Sequence, residues 1–325
     1  MFYLLCICLI LAVMFAVFML ATLACAPLLG MLAGRAHRLR PGTAAHLLFI
    51  LRALPLVLGV TASLGLALPA FLEFEPYSTS EMPGPALWIL AGLGLLIVLA
   101  IVWRCWRILH LTLQLQRSWL KNARPLGIDL GGIPVFCVND SVSLVAVAGI
   151  FVPRIFVSQD VVDALNQAEL KAALSHELAH IDTCDNLRQL LLKVTRAPEF
   201  LRSRSKIDSL WANMSELAAD ERALARGASP LDLSSALVKV GRLTFQRRPA
   251  LLAASHLVDG CGSATLARAG HLRDLLERGI SSEQAVPLRQ RGYLYLGSAF
   301  VLLIYLFAVM TILPAIHEAL EFIVR

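Results

Sequence analysis

The amino-acid sequence predicts an α-helical multi-pass membrane protein of four transmembrane helices, with an α+β domain inserted between helices three and four. Three observations carry that prediction. Of 325 residues, 58% are hydrophobic and only 16% are charged, which is too apolar for a soluble chain of this length. Four separate apolar runs reach the roughly 20 residues that a bilayer crossing needs. Between the third and fourth runs the pattern changes to short β-branched stretches followed by capped amphipathic helices.

The first run extends from Met1 to about Leu32, with no charge before Arg35. It lacks a basic n-region, and it exceeds the roughly 7–15 apolar residues of a signal peptide, so a retained helix is expected. Thr22-Leu23-Ala24-Cys25 only partly fits a lipoprotein cleavage box. The second run covers about Ala53–Leu72, with Arg52 at its edge and Pro55 and Pro69 inside it, which neighbouring helices can accommodate. The third covers about Ala86–Val102. Helical apolar spacing persists beyond it, through "WRCWRILHLTLQLQRSWLKNARP", as far as Pro125. One continuous helix leaving the bilayer is therefore expected; a separate helix lying on the surface is the alternative. The fourth run covers about Tyr293–Ile316.

Orientation follows from the basic residues. Arg35, Arg38 and Arg40 follow run one, and Arg104, Arg107, Arg117, Lys121 and Arg124 follow run three. The loop after run two carries Glu73, Glu75 and Glu81 and no basic residue. The N-terminus is expected outside and the insert in the cytoplasm of a bacterial cell, anchored in the inner membrane; Arg325 in the outer tail is a mild exception. The expected division is 1–120 for three membrane helices and a cytoplasmic extension of the third, 121–292 for the inserted domain, and 293–325 for the last helix and tail.

Within the insert, "IPVFCVND" and "VSLVAVAGIFVPRIFVS" read as strands. Ser158 can cap a helix over "QDVVDAL". Asn166-Gln-Ala-Glu169 is a capping box that opens a helix expected to run to about Ala197-Pro198. Asp208 can cap a further helix closed by Gly227, Ser229-Pro230 opens another, and "ATLARAGHLRDLLER" is a last amphipathic one.

The first of these long helices carries "LSHELAHIDTCDN". His176 and His180 stand one helical turn apart, so both imidazoles leave the same face, the geometry for two ligands on one zinc ion. Glu177 lies beside them, where a carboxylate can take the proton of a water at an open metal position. A metzincin third histidine is absent. "SELAADERA" instead supplies Glu216, which would complete a His₂Glu set. Asp220, one turn later, could accept the N–H of a ligand histidine and fix its tautomer.

HELAH, an Asp five positions after its last His (Asp185), and ExxxD within "SELAADERAL" resemble the BlaR/MecR-type membrane metallopeptidases. They are similar, more distantly, to the HtpX/Ste24-type membrane proteases. The resemblance spans nearly the whole chain. It implies a gluzincin-like zinc metalloprotease domain, with His176, His180 and Glu216 as zinc ligands, Glu177 as general base and Asp220 supporting a ligand. It also implies that the strand before the zinc helix, "SLVAVAGIF", pairs with an extended substrate; an interior core strand is the alternative. The antibiotic transducers of that group carry a penicillin-binding sensor after the last helix. Only about ten residues follow it here, so β-lactam sensing is not expected.

For the developing oxyanion, His256, Arg268 and Arg273 are the candidate donors. Cys184 is expected to pack rather than to bind metal. Asp185 is a helix or ligand-supporting acid, or a plain surface charge. Seven cysteines without a CxxC pair form neither a disulfide framework nor a zinc ribbon. The net charge of +6 is scattered, which argues against nucleic acid. Two SxxK matches lack any partner motif, and no Walker loop or dinucleotide fingerprint occurs.

The expected activity is thus zinc-dependent hydrolysis of peptide bonds in cytosolic or membrane-proximal proteins, within regulated proteolysis or signal transduction. Membrane-protein quality control is a second option, and a signalling scaffold with a purely structural zinc is a third. The expected partners are a protein or peptide substrate and the lipid bilayer, with a homo-oligomer left open.

Overall fold

The computed structural model describes residues 1–77, 82–128, 130–139, 145–195, 203–246, 268, 270–273 and 275. The fourth apolar run lies outside the described residues.

Among the described residues, three helical segments are long and apolar enough to cross a membrane. The first is α1 (Phe2–Arg35), which carries no charge until its last residue. The second is α2 (Pro41–Val60), a π-helical stretch (Thr61–Ala67) and α3 (Leu68–Phe74) in unbroken succession. The wide π turns immediately precede Pro69. Proline lacks an N–H and its ring collides with the carbonyl four residues back, so a widened turn lets the helix pass it. This element starts at Pro41, not near Ala53 as the apolar run implied. Its extra turns are mostly apolar and lie before the charge of Arg52, with Ala44, Ala45, Leu48 and Arg52 itself almost fully covered. The third is α4 (Pro85–Lys121), one continuous helix. The surface-helix alternative is therefore excluded. At Gly94 a Cβ would stand 2.2 Å from the Leu11 carbonyl oxygen, so α4 crosses α1 where only glycine fits.

Beyond α4 comes a four-stranded sheet: β1 (Arg124–Pro125), β2 (Val135–Val138), β3 (Val145–Ala148) and β4 (Arg154–Ser158), in the order β1-β2-β4-β3. β2 and β4 are parallel, and the outer pairs are antiparallel. β1 had no signal in the sequence. Alternation along β4 sends Ile155 and Val157 into one core with Val161, Leu165, Leu174 and Ala236, while Phe156 faces Trp119 and Leu120 of α4. The sheet is thereby clamped between the C-terminal extension of α4 and the helices that follow.

Those helices are α5 (Gln159–Ala164), α6 (Gln167–Asp182), α7 (Asp185–Val194), α8 (Ser203–Ala225) and α9 (Pro230–Gln246). Asn166 and Glu169 form the expected capping box at the start of α6. The expected helix from Asn166 to Pro198 is in fact two. The chain breaks at Thr183 and at Cys184, which adopts φ 53° and ψ 40°, the left-handed region. Cys184 is exposed and does not pack as expected; it sits at the break between the two helices. α8 begins five residues before Asp208, which sits inside the helix rather than capping it.

The apolar helices and the domain that follows them share one core. Cys25, Leu29, Ala36, Ala44 and Leu48 pack against Leu192 of α7 and Ile207, Trp211 and Met214 of α8. Arg52, only 2% exposed, reaches the end of α7, donating to Thr195 Oγ1 at 3.2 Å and to the Thr195 carbonyl at 3.1 Å. Its Nε lies 3.4 Å from Asp208. Arg104 of α4 donates to the Val194 carbonyl at 3.4 Å. Two cations from the spans thus satisfy carbonyls at the negative end of α7.

Candidate metal centre

α6 and α8 lie side by side, and their facing surfaces build the site. The capping box fixes where α6 starts: Glu169 accepts from the Asn166 backbone N–H, and Asn166 Oδ1 accepts from the Glu169 N–H, both at 2.8 Å. Glu169 is also held by Ser235 and Lys239 of α9, at 2.6 and 2.7 Å. These bonds, Lys239's first, push its carboxyl down to about 2. At the other end of the helix pair, Arg226 binds Asp182 and the Ser175 carbonyl.

Held this way, α6 presents His176 and His180, and α8 presents Glu216. The two Nε2 atoms lie 3.2 Å apart. Glu216 Oε2 is 3.4 Å from His176 Nε2, and Oε1 is 3.5 Å from His180 Nε2. A tetrahedral ion with bonds of about 2.0–2.1 Å keeps its ligands about 3.3–3.4 Å apart. The imidazoles lie at about that spacing from each other, and each lies at about that spacing from one of the two Glu216 oxygens. Two nitrogens and one carboxylate oxygen are also the donor set that zinc takes in sites with an open fourth position. Among the described residues, His176, His180 and Glu216 form a group able to hold a metal ion.

Each histidine is oriented from behind. His176 Nδ1 lies 2.9 Å from Asp220, which is completely buried. His180 Nδ1 lies 2.8 Å from Asp185. An Nδ1 hydrogen donated to a carboxylate leaves the Nε2 lone pair facing the cluster. Asp185 is accordingly not a plain surface acid. Along an unbroken helix it would point about 140° away from His180. The break at Cys184 turns it back, and Ser215 Oγ donates to the same carboxylate at 2.6 Å. Ser215 went unnoticed in the sequence, although it immediately precedes Glu216.

Arg268 grips both Glu216 and Asp220 of α8. Its Nη2 and Nε donate to Asp220 at 2.7 and 2.9 Å, and its Nη1 lies 2.9 Å from Glu216 Oε2. Of the oxyanion candidates among the described residues, Arg268 is thus the one brought to the cluster, although its donors engage carboxylates. Arg273 is exposed, and His256 lies outside the described residues.

The electrostatics favour a cation. Burial works against a charged His176, but hydrogen bonds to Asp220 and Glu216 outweigh it and push the imidazole up to about 9. Burial likewise opposes the charge of Glu216, yet its bond to His176 and the Arg268 charge hold its carboxyl well below the ordinary range. Asp220 and Asp185 are lowered against burial by bonds to their histidines. Three ionised carboxylates around two imidazoles and one guanidinium make a pocket of negative potential. Glu177 moves the other way: burial beside Glu216 raises its carboxyl, with both imidazoles pulling against the shift. A raised carboxyl is a better proton acceptor, as a general base requires.

A residue that the sequence reading left unassigned completes the picture. Asn186 Nδ2 donates to the carbonyls of Val147 and Gly149, at 3.3 and 3.0 Å, tying β3 to the start of α7.

Residues 110–256 match the sequence profile of peptidase family M48. The matched stretch runs from the extension of α4 past α9 and contains every residue of the cluster. It supports the M48 metallopeptidase family, whose members are typically zinc-dependent. No curated protein and no solved structure matches the chain.

Proposed function

We propose that the chain is a membrane-embedded zinc endopeptidase of the BlaR/MecR type. In this reading the domain faces the cytoplasm of a bacterial cell and cleaves cytosolic or membrane-proximal proteins in regulated proteolysis. One observation carries the reading: His176, His180 and Glu216 offer three donors at the spacing of a tetrahedral edge, with Glu177 alongside. The orientation rests on charge. α7 and α8 pack at the end of the α1–α2 hairpin that bears Arg35, Arg38 and Arg40, the end that the positive-inside rule assigns to the cytoplasm.

Zinc, when bound, polarises the scissile carbonyl and lowers the pKa of its water towards about 7. Glu177 accepts the proton of the attacking water and passes it to the leaving amine. Asp220 and Asp185 hold the histidine rings in the tautomer that directs Nε2 inward. β3, at the outer edge of the sheet, offers main-chain partners to an extended substrate. The membrane helices hold this apparatus against the bilayer.

Recognition through backbone rather than side chains favours a second reading, broad quality control of membrane proteins. The proteins that accumulate when Glu177→Gln replaces the active form separate the two: one dedicated regulator, or many misfolded membrane proteins.

Glu177→Gln in the full chain should retain one zinc and cleave denatured casein about 10²–10⁴-fold more slowly. Cleavage as fast as the unaltered chain would remove Glu177 from the mechanism.

A further inference from the structure

The outer edge of the sheet is capped at one end by one side chain. In an antiparallel ladder both polar groups of a residue point either at the partner strand or away from it. The Val147 carbonyl goes to Asn186, so Val147 faces away from β4, and so does Val145 two residues earlier. The Gly149 carbonyl goes to the same Nδ2. At Gly149 the backbone has φ +107°, and a Cβ there would stand 2.3 Å from the Val152 carbonyl oxygen. The chain therefore leaves the sheet at this point, and only glycine permits the turn. Along the outward row running from Val145 through Val147 to Gly149, the last two acceptors are taken by one carboxamide. Asn186 directly follows Asp185, whose carboxylate orients His180. Two consecutive residues at the start of α7 thus hold a metal-binding imidazole and the end of the edge strand.

We propose that Asn186 is a positioning residue that sets the register of a substrate segment on β3, ending main-chain pairing at Val147 and fixing the paired segment relative to His180. The inference rests on the endopeptidase reading. Its physical basis is that a strand slips in steps of two residues when both registers keep the same face inward. A stop at one end removes that freedom. Asn186→Asp keeps the size of the side chain but replaces the donor with a carboxylate, which repels both carbonyls. Asn186→Ala leaves them without that partner.

The test compares the full chain, Asn186→Asp and Asn186→Ala in detergent, each loaded with zinc. Cleavage sites in denatured casein are mapped by mass spectrometry, and zinc content is measured on the same samples. Both variants should hold zinc as the unaltered chain does and show new cuts two residues from the original ones. On a peptide of about twelve residues containing one mapped site, kcat and KM for the original bond should fall together, by about twofold, as expected when a second register of similar affinity competes with the first. An unchanged cleavage map with unchanged KM would overturn the proposal. Loss of zinc in both variants would also overturn it, by placing Asn186 in the metal scaffold. A zinc-loaded unaltered chain that cuts nothing would instead overturn the endopeptidase reading, and this inference with it.

Discussion

The two ends of the α1–α2 hairpin are held by opposite means. At the end near Glu73 and Glu75, Phe2, Leu5, Leu9, Phe71 and Leu87 make an apolar core, and Gly94 sets how closely α4 can cross α1. At the arginine-rich end, the hairpin meets the inserted domain through a mixed interface. An apolar layer of Leu29, Leu48, Trp211 and Met214 is joined there by buried Arg52 on Thr195 and Asp208. The difference shows what each contact can specify. Apolar helices in lipid are told apart only by shape, so specificity falls on small residues that allow close approach. A buried guanidinium demands particular partners, so it can fix one domain on another.

The largest expected effect comes from the polar end. Arg52→Ala removes a buried cation from Asp208 and from the last carbonyls of α7, and should cost about 3–5 kcal/mol. Hydrogen exchange in α7 and the first turns of α8 should rise while exchange in α1 and α4 stays slow. Equal loosening of both regions would break the comparison. Gly94→Ala should do the reverse at smaller cost, about 1–3 kcal/mol, because the added methyl meets backbone that must move. Here exchange should rise in α1 and α4 and leave α6 to α8 unchanged.

The smallest effect is a pH dependence confined to the inserted domain. The Glu169 carboxyl is depressed to about 2 in the folded chain against an ordinary value of 4.5. A depressed carboxyl contributes stability that is fully present above its unfolded pKa and is lost as pH falls towards the folded one. Unfolding of the domain should therefore become easier between about pH 4.5 and pH 2. In Glu169→Gln that part of the acid slope should disappear. A slope identical in the two proteins would assign the acid sensitivity to other groups.

What the sequence made legible was local. The length of α1, the continuity of α4, the capping box at Asn166 and the four-residue spacings of His176 with His180 and of Glu216 with Asp220 can all be read along single helices. What it hid was tertiary. α2 extends back to Pro41 across Arg52, whose charge marks the edge of the apolar run, because Thr195 and Asp208, distant in the chain, take up that charge. The break at Cys184 occurs in a stretch with good helical spacing, yet it is what lets Asp185 reach His180. Asp208 looked like a cap because Asp favours that position, but its partner is an arginine far away in the chain. Asn186 stood inside the motif and carried no signal, because the carbonyls it holds belong to a strand some forty residues earlier.

The central claim is that one zinc ion is held by His176, His180 and Glu216 with a coordination position left for water. X-ray absorption spectroscopy of the full chain with one equivalent of zinc tests it most directly. The expected spectrum shows two imidazole nitrogens and light oxygen donors at about 2.0–2.1 Å, and Glu216→Gln and His180→Ala should each weaken the site. A sulfur ligand, or equally tight zinc in a chain carrying His176→Ala and His180→Ala together, would contradict it.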